Sequence, residues 1–192
     1  MSKGRLESFS DGVLAIIITI MVLELRPPHT DTIESLKPLW PVFLSYILSF
    51  VTIGIYWNNH HHMFQASQKV NGRVLWSNTH LLFWLSLLPF ATAWMGENHF
   101  TTIPIALYGG VLWMCGFAYY ILAHSLKDLH GKDAAFSKAL GSDRKGKLSL
   151  LLYSLGIGIS FIHPLLGFSS YVLVTLMWLV PDKRFENQRE SS

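Results

Sequence analysis

The sequence is poor in charge and nearly free of cysteine. Only 14% of its 192 residues are Asp, Glu, Lys or Arg, whereas about a quarter is usual in a soluble domain. The single cysteine, Cys115, excludes an intrachain disulfide. The net charge of +3 comes without a basic block interleaved with aromatic residues, so the sequence does not indicate a nucleic-acid partner.

Motifs for catalysis and for cofactor binding are also missing. The sequence contains no P-loop, dinucleotide-binding fingerprint, HExxH motif or nucleophile elbow. It also lacks the TVGYG filter of many potassium channels. We therefore expect neither an enzyme nor a resident metal or cofactor. Acidic residues precede the first apolar run and no small-residue cleavage site follows it, which predicts no cleavable signal peptide.

Apolar and aromatic residues are abundant instead. Hydrophobic residues make up 51% of the chain, which has seven Trp, seven Tyr and twelve Phe. This composition predicts an all-α integral membrane protein, with residues 1–192 forming one domain. A membrane-spanning helix needs roughly 20 residues. The first four predicted spans are about Glu7 to Leu25, Leu39 to Asn59, Val74 to Met95 and Ile103 to Ala123.

The last apolar stretch, Leu148 to Val180, is too long for one helix and short for two. His163-Pro164 and Gly167 lie near its middle. Proline removes a helical hydrogen bond and glycine tolerates turns, so we predict two short helices joined by a tight turn. The total is then six transmembrane helices.

The basic residues orient these six helices. Only Arg26 and Lys37 fall in the predicted outer loops, and the other thirteen of the fifteen Lys and Arg fall on the opposite side. Positive residues concentrate on the cytoplasmic side. This distribution predicts a multi-pass protein of the inner cell membrane with both termini in the cytoplasm. The polar segment Ser125 to Gly146 is expected to be a cytoplasmic connector facing anionic lipid.

The first span carries an acid near each end, in "RLESFSDGVLAIIITIMVLEL". The apolar run Gly12 to Leu23 covers only about 18 Å of helix, whereas the hydrocarbon core is about 30 Å thick. At least one of Asp11 and Glu24 should therefore lie inside the membrane and face protein or water. Arg5 is near enough to pair with an acid. For Asp11, a simple cap at the helix N-terminus is the alternative.

Further polar residues are predicted at the depth of Asp11. They occur in "WNNHHHMF" of the second span, which contains His60 and His61, and in "WSNTH" of the third, which contains Asn78. Their donors and acceptors are complementary, so we expect a hydrogen-bonded network between helices. A metal site is disfavoured because successive helical histidines point about 100° apart.

One face of the first helix combines Ile16, Thr19 and Leu23, with Ile20 beside it. The spacing of i, i+3 and i+7 places them on the same side. Helix packing is the more common explanation of such a pattern. If this face surrounds the axis of an oligomer, it would form rings of aliphatic side chains that can gate water and ions.

The opening residues resemble a known family. Arg5, Phe9, Ser10 and Asp11 match R-x-x-x-F-S-D, the signature of the lysosomal potassium channel transmembrane protein 175 and its bacterial homologues. The "WNNHHHMF" segment resembles the end of that family's second helix, and the stretch up to Glu97 resembles its third. The resemblance is strong from Arg5 to Glu97.

The resemblance implies a function and an assembly. It implies a homotetrameric channel, selective for potassium over sodium, in which the first helices surround the pore without a re-entrant filter. Ile16, Thr19 and Leu23 would line the pore, with Ile20 competing for the third position. Monovalent cations and membrane lipid would be its partners, with permeant K⁺ instead of a cofactor. A structural network behind the pore would comprise Arg5, Phe9, Ser10, Asp11, His60, His61 and Asn78.

Two other classes of function stay open. A proton pathway or small cation transporter could use Asp11, Glu24 and the histidines. A membrane redox protein could hold haem through His60, His61 or His80, because haem ligation needs histidines that face an internal site.

Overall fold

The computed structural model describes residues 2–131 and 143–179. This part of the chain folds into seven α-helices and one short 3₁₀ helix, with no strand among its residues. The helices are α1 (Lys3–Leu23), the 3₁₀ helix (Ile33–Leu39), α2 (Trp40–Gln65), α3 (Gly72–Leu85), α4 (Leu88–Glu97), α5 (Thr102–His130), α6 (Arg144–Ser160) and α7 (Pro164–Leu179).

The predicted all-α class is confirmed, and six membrane crossings fit the helices. Four segments are long and apolar enough to cross a membrane: α1, α2 with the 3₁₀ helix, α3 with α4, and α5. The remaining two, α6 and α7, have 17 and 16 residues, which gives each a length of about 25 Å.

The third crossing is divided where a single helix was expected. The break between α3 and α4 falls at Ser86 and Leu87. Pro89 occupies the first turn of α4, where its missing N–H is tolerated. Because proline would remove a hydrogen bond from the middle of a continuous helix, the chain starts a new one here.

The prediction of two short helices near the C-terminal end is confirmed over the described residues. Helix α6 ends at Ser160 and α7 begins at Pro164. Gly167 has a different role from the predicted one, because it lies inside α7 instead of in the turn. A Cβ there would lie 2.6 Å from the Gly156 carbonyl oxygen and 3.0 Å from Ser160 Cα. Its missing side chain therefore allows close packing of the two helices.

Both ends of the predicted cytoplasmic connector are helical. Ser125 belongs to α5, where its hydroxyl hydrogen-bonds to Ser77 of α3 at 2.9 Å. Asp128 forms an ion pair with Arg73, also of α3, at 3.0 Å. These contacts extend α5 along α3 beyond the predicted span. Residues 132–142 of the connector lie outside the described part of the chain.

All seven helices contribute to one hydrophobic core. Helix α1 joins it through one face only, on which Leu6, Leu14, Ile17 and Met21 are buried. That face packs against α2, α3 and α4. The opposite face of α1 is left uncovered by the subunit.

Candidate functional site: the first helix and its polar network

The uncovered face of α1 contains the four residues that the sequence assigned to a pore. Ile16 is 60% exposed, Leu23 73% and Ile20 43%. Thr19 is exposed between them. Gly12 and Ala15, both small, are also exposed on this side. Small residues in a membrane helix let another helix approach closely.

Ile20 and Leu23 face different surroundings. Ile20 lines a groove with Phe90 and Trp94 of α4, so its side chain is turned towards its own subunit. Leu23 lies two helical turns, or seven residues, from Ile16 and is more exposed than Ile16 or Ile20. The stripe furthest from the core is therefore Ile16, Thr19 and Leu23.

The Thr19 hydroxyl has a fixed direction. It donates a hydrogen bond of 2.9 Å to the carbonyl oxygen of Ala15, one turn earlier in α1. Because the proton is used towards the helix backbone, the lone pairs of the hydroxyl oxygen are left for an external donor or cation. Ile16 and Leu23 offer no oxygen, so Thr19 is the oxygen donor of the stripe.

A buried hydrogen-bonded chain supports α1 from behind. Ser10 donates to the Leu6 carbonyl oxygen at 2.9 Å and accepts from Asn78 Nδ2 at 2.9 Å. The Asn78 Oδ1 oxygen in turn accepts from His60 Nε2 at 2.7 Å. All three side chains are at most 3% exposed. The chain joins α1, α2 and α3, with each side chain hydrogen-bonded to the next.

Asp11 lies outside this buried chain, contrary to the expected Asp11–Asn78–His60 arrangement. It is exposed on the subunit and accepts a hydrogen bond from Trp57 Nε1 of α2 at 3.1 Å. Asp11 also lies more than two turns inside α1, which begins at Lys3. The simple N-terminal cap proposed as an alternative is therefore wrong.

Three other residues that the family resemblance assigned to the network lie outside the buried chain: Arg5, Phe9 and His61. Arg5 and Phe9 are exposed, and no ion pair joins Arg5 to an acid among residues 2–131 and 143–179. His61 stacks on Trp57 and contacts the amide of Gln65 at 2.7 Å. Ser10, His60 and Asn78 are thus brought together, and Arg5, Phe9 and His61 are not.

The histidines are arranged for hydrogen bonding within the subunit. His60 uses Nε2 to hold Asn78, and His80 Nε2 accepts from Trp84 Nε1 at 2.9 Å. Across the described ranges, no group of three or more His, Cys, Asp or Glu is placed to hold a metal ion.

Comparison with known proteins identifies the family. The family model of the endosomal/lysosomal potassium channel TMEM175 matches residues 5–89. A potassium channel of Chryseobacterium sp. (strain P1-3) is 54% identical over 186 residues, which cover 97% of each chain. The chain belongs to the TMEM175 family. Its homologues and its fold are those of channels and not of enzymes.

One more distant TMEM175 relative has the same fold, and another is named a proton channel. The crystal structure of a lysosomal potassium-selective channel TMEM175 homolog from Chamaesiphon minutus superposes with a TM-score of 0.79. It is 28% identical and covers 94% of this chain and 97% of its own. The human endosomal/lysosomal proton channel TMEM175 is 35% identical over 103 residues, or 47% of this chain and 20% of the human protein.

The TMEM175 match explains which site residues could be found from sequence. All residues of the buried chain and of the exposed stripe lie within residues 5–89. Two contacts were missed: Trp57, the donor to Asp11, and the Ser77–Ser125 pair. The position of Trp57 near the predicted cytoplasmic end of the second span, on the same side as Asp11, was the available signal.

Proposed function

We propose that the protein is a potassium-preferring monovalent cation channel of the inner cell membrane. Four copies assemble around α1, with both ends of each chain in the cytoplasm. The names of the bacterial relatives support conduction of potassium. The one-sided burial of α1 supports its place at the centre of the assembly.

The observation that carries the proposal is the exposed face of α1. Its flank holds the Asp11 carboxylate, which would be costly against lipid. Its centre holds small residues and the Thr19 hydroxyl, and its other face is fixed to α2 and α3 by the buried chain. A face of this composition is suited to other copies of α1 and to water. It is poorly suited to acyl chains.

In this assembly the stripe forms a gate. Rings of Ile16 and Leu23 side chains offer an ion no oxygen, so a narrow ring excludes water and hydrated cations. Thr19 lies between them, with oxygen lone pairs available to a partly dehydrated ion. Passage then depends on the radius of the aliphatic rings, and preference among cations depends on radius together with Thr19.

Conduction of protons is the second candidate function. The vertebrate relatives are named proton channels, and the human one matches 47% of this chain. Protons could cross the same stripe once water enters it. A pH gradient across the bilayer separates this candidate from the first.

Reversal potentials in planar bilayers test the proposal. With potassium on one side and sodium on the other, the reversal potential of the wild-type current should have the sign expected for a channel more permeable to potassium. A pH gradient should change that potential little. Ile16→Asn should wet the aliphatic ring and raise the current. Thr19→Ala should reduce the preference for potassium while conduction persists, because the only oxygen of the stripe is lost.

Thr79→Ala is the matched control. Thr79 is an exposed α3 threonine whose hydroxyl makes the same bond to a backbone oxygen four residues earlier, at 3.0 Å to Leu75. Its replacement should leave the reversal potential unchanged. The proposal fails if Ile16→Asn and Thr19→Ala both match wild type in current and reversal potential. A reversal potential that changes with the pH gradient and not with the potassium and sodium gradients would favour the proton channel.

A further inference from the structure

A cavity of about 50 Å³ lies inside each subunit, on the side of α2 away from the α1 stripe. It is lined by residues of α2, α5, α6 and α7 and is partly open to the surface. Tyr56 and Asn59 of α2, Gly116 of α5 and Tyr153 of α6 are among its lining residues. Because about 10–15 Å³ of such space holds one water molecule, the cavity accommodates roughly three or four non-hydrogen atoms.

Two tyrosine hydroxyls in the cavity wall lack partners. Tyr153 is only 4% exposed, and Tyr56 is partly buried. Neither hydroxyl hydrogen-bonds to another residue in the part of the chain that the structure describes. A hydroxyl without a protein partner at the wall of a cavity can hydrogen-bond to water or to a ligand held there. Tyr56 and Tyr153 line the same cavity.

The charges around the cavity favour a neutral occupant. The Asp143 carboxylate lines it and accepts from the Gly146 backbone N–H at 3.4 Å, so an anion would be repelled. A cation would meet the N-terminus of α6 and its basic residues, among them Lys145, whose Nζ is 4.8 Å from the Trp178 ring centroid. The wall is otherwise formed largely by aromatic rings and aliphatic carbon. It therefore matches a short apolar body with one hydroxyl group.

We propose that this cavity is a binding site for short-chain alcohols of three to four non-hydrogen atoms. The alcohol hydroxyl is the hydrogen-bond partner of Tyr56 and Tyr153. The site is separate from the α1 stripe and does not depend on the proposed conduction path.

Glycines of α5 provide a matched pair of variants. A Cβ on Gly116 would lie 3.2 Å from a methyl carbon of Leu150 and 3.8 Å from the Tyr56 hydroxyl, so Gly116→Val fills the cavity. A Cβ on Gly110, on the same helix, would meet nothing within 4 Å. Gly110→Val is therefore the control for a valine in α5 that leaves the cavity open.

The test is a ¹⁹F NMR titration of 2-fluoroethanol against the full chain in lipid nanodiscs. Wild type and Gly110→Val should show the same saturable binding above the linear uptake by lipid, and Gly116→Val should lose it. Tyr56→Phe and Tyr153→Phe keep the shape of the cavity. Each should weaken binding by about two- to tenfold, as expected for the loss of one net hydrogen bond.

Three results would overturn the proposal. They are purely linear uptake by wild type, saturable binding that survives in Gly116→Val, and binding that is unchanged in both phenylalanine variants. If Gly116→Val does not fold, the phenylalanine variants alone decide the question.

Discussion

At the scale of single residues, Ser10 connects α1 to α3. Its hydroxyl is the acceptor for Asn78 and a donor to the α1 backbone, and its side chain is fully buried. Asn78 is in turn oriented by His60. Because each member positions the next, the direction in which the α1 stripe faces depends on the buried side chains behind it.

Ser10→Ala should therefore destabilise the protein. It leaves the Asn78 amide N–H without an acceptor in a buried site, which costs about 1–3 kcal/mol in the free energy of unfolding. Ser8→Ala is the control, because Ser8 is exposed on the same helix; changes at such sites usually stay within about 0.5 kcal/mol. Equilibrium unfolding in mixed micelles measures both. Equal stability of the two variants would show that the buried chain contributes nothing.

The sequence could predict part of this residue-scale picture. The Asn78–His60 contact followed from placing polar residues of successive spans at one depth. The acceptor in α1 was misassigned, since Ser10 and Asp11 are neighbours and spacing alone cannot show which of them faces the core. The rotation of α1 about its axis is determined by its buried apolar residues, Leu6, Leu14, Ile17 and Met21. This rotation directs Ser10 towards the core and Asp11 to the side of the helix.

At the scale of helices, the contact between α6 and α7 depends on small residues. Gly156 and Gly167 face each other so closely that Cβ atoms would meet backbone or side-chain atoms of the other helix. In a membrane, helices gain little from apolar burial, and close approach of this kind is a main source of packing energy. The two short helices therefore function as one hairpin.

Gly167→Ala should disrupt this hairpin. The added methyl would lie 2.6 Å from the Gly156 carbonyl oxygen, and backbone cannot move aside as a flexible side chain can. We expect a loss of about 1–3 kcal/mol in the free energy of unfolding, as for other overpacked sites. Gly158→Ala is the control, because Gly158 is exposed and nothing lies within 4 Å of its Cβ position.

That control should be neutral or slightly stabilising, since alanine is the better helix former. A thermal melt of both variants in the same detergent checks the pair. If Gly167→Ala has the same melting temperature as wild type, the packing explanation of the hairpin is contradicted.

The six apolar segments and their helical type could be predicted from sequence, whereas the helix ends and the break in the third segment could not. The hydrophobic runs located every span, and Pro164 located the hairpin turn. The break between α3 and α4 was missed because a proline near the centre of an apolar run fits a kinked helix as well as two separate ones. The extension of α5 was missed because it depends on Ser77 and Arg73 of α3, which are distant in sequence.

At the scale of the whole molecule, the proposed positive-inside arrangement determines which side of the membrane each loop faces. Lys69, between α2 and α3, and Asp31, between α1 and the 3₁₀ helix, are both exposed and should face opposite sides. In a Cys115→Ala background, Asp31→Cys should react with an impermeant thiol reagent in intact cells. Lys69→Cys should react only after lysis. Labelling of Lys69→Cys in intact cells, with Asp31→Cys protected until lysis, would show that the protein has the opposite orientation.

The assembly around α1 is the central claim, and cysteine accessibility in the open channel tests it most directly. Single cysteines at Thr19, on the exposed stripe, and at Leu14, on the buried face, are introduced into the Cys115→Ala protein. A cationic thiol reagent is then applied while potassium current is recorded in a planar bilayer. The account predicts that the reagent blocks Thr19→Cys channels and leaves Leu14→Cys channels conducting. Thr19→Cys channels that keep full current, with their thiols shown by mass spectrometry to be modified, would contradict it.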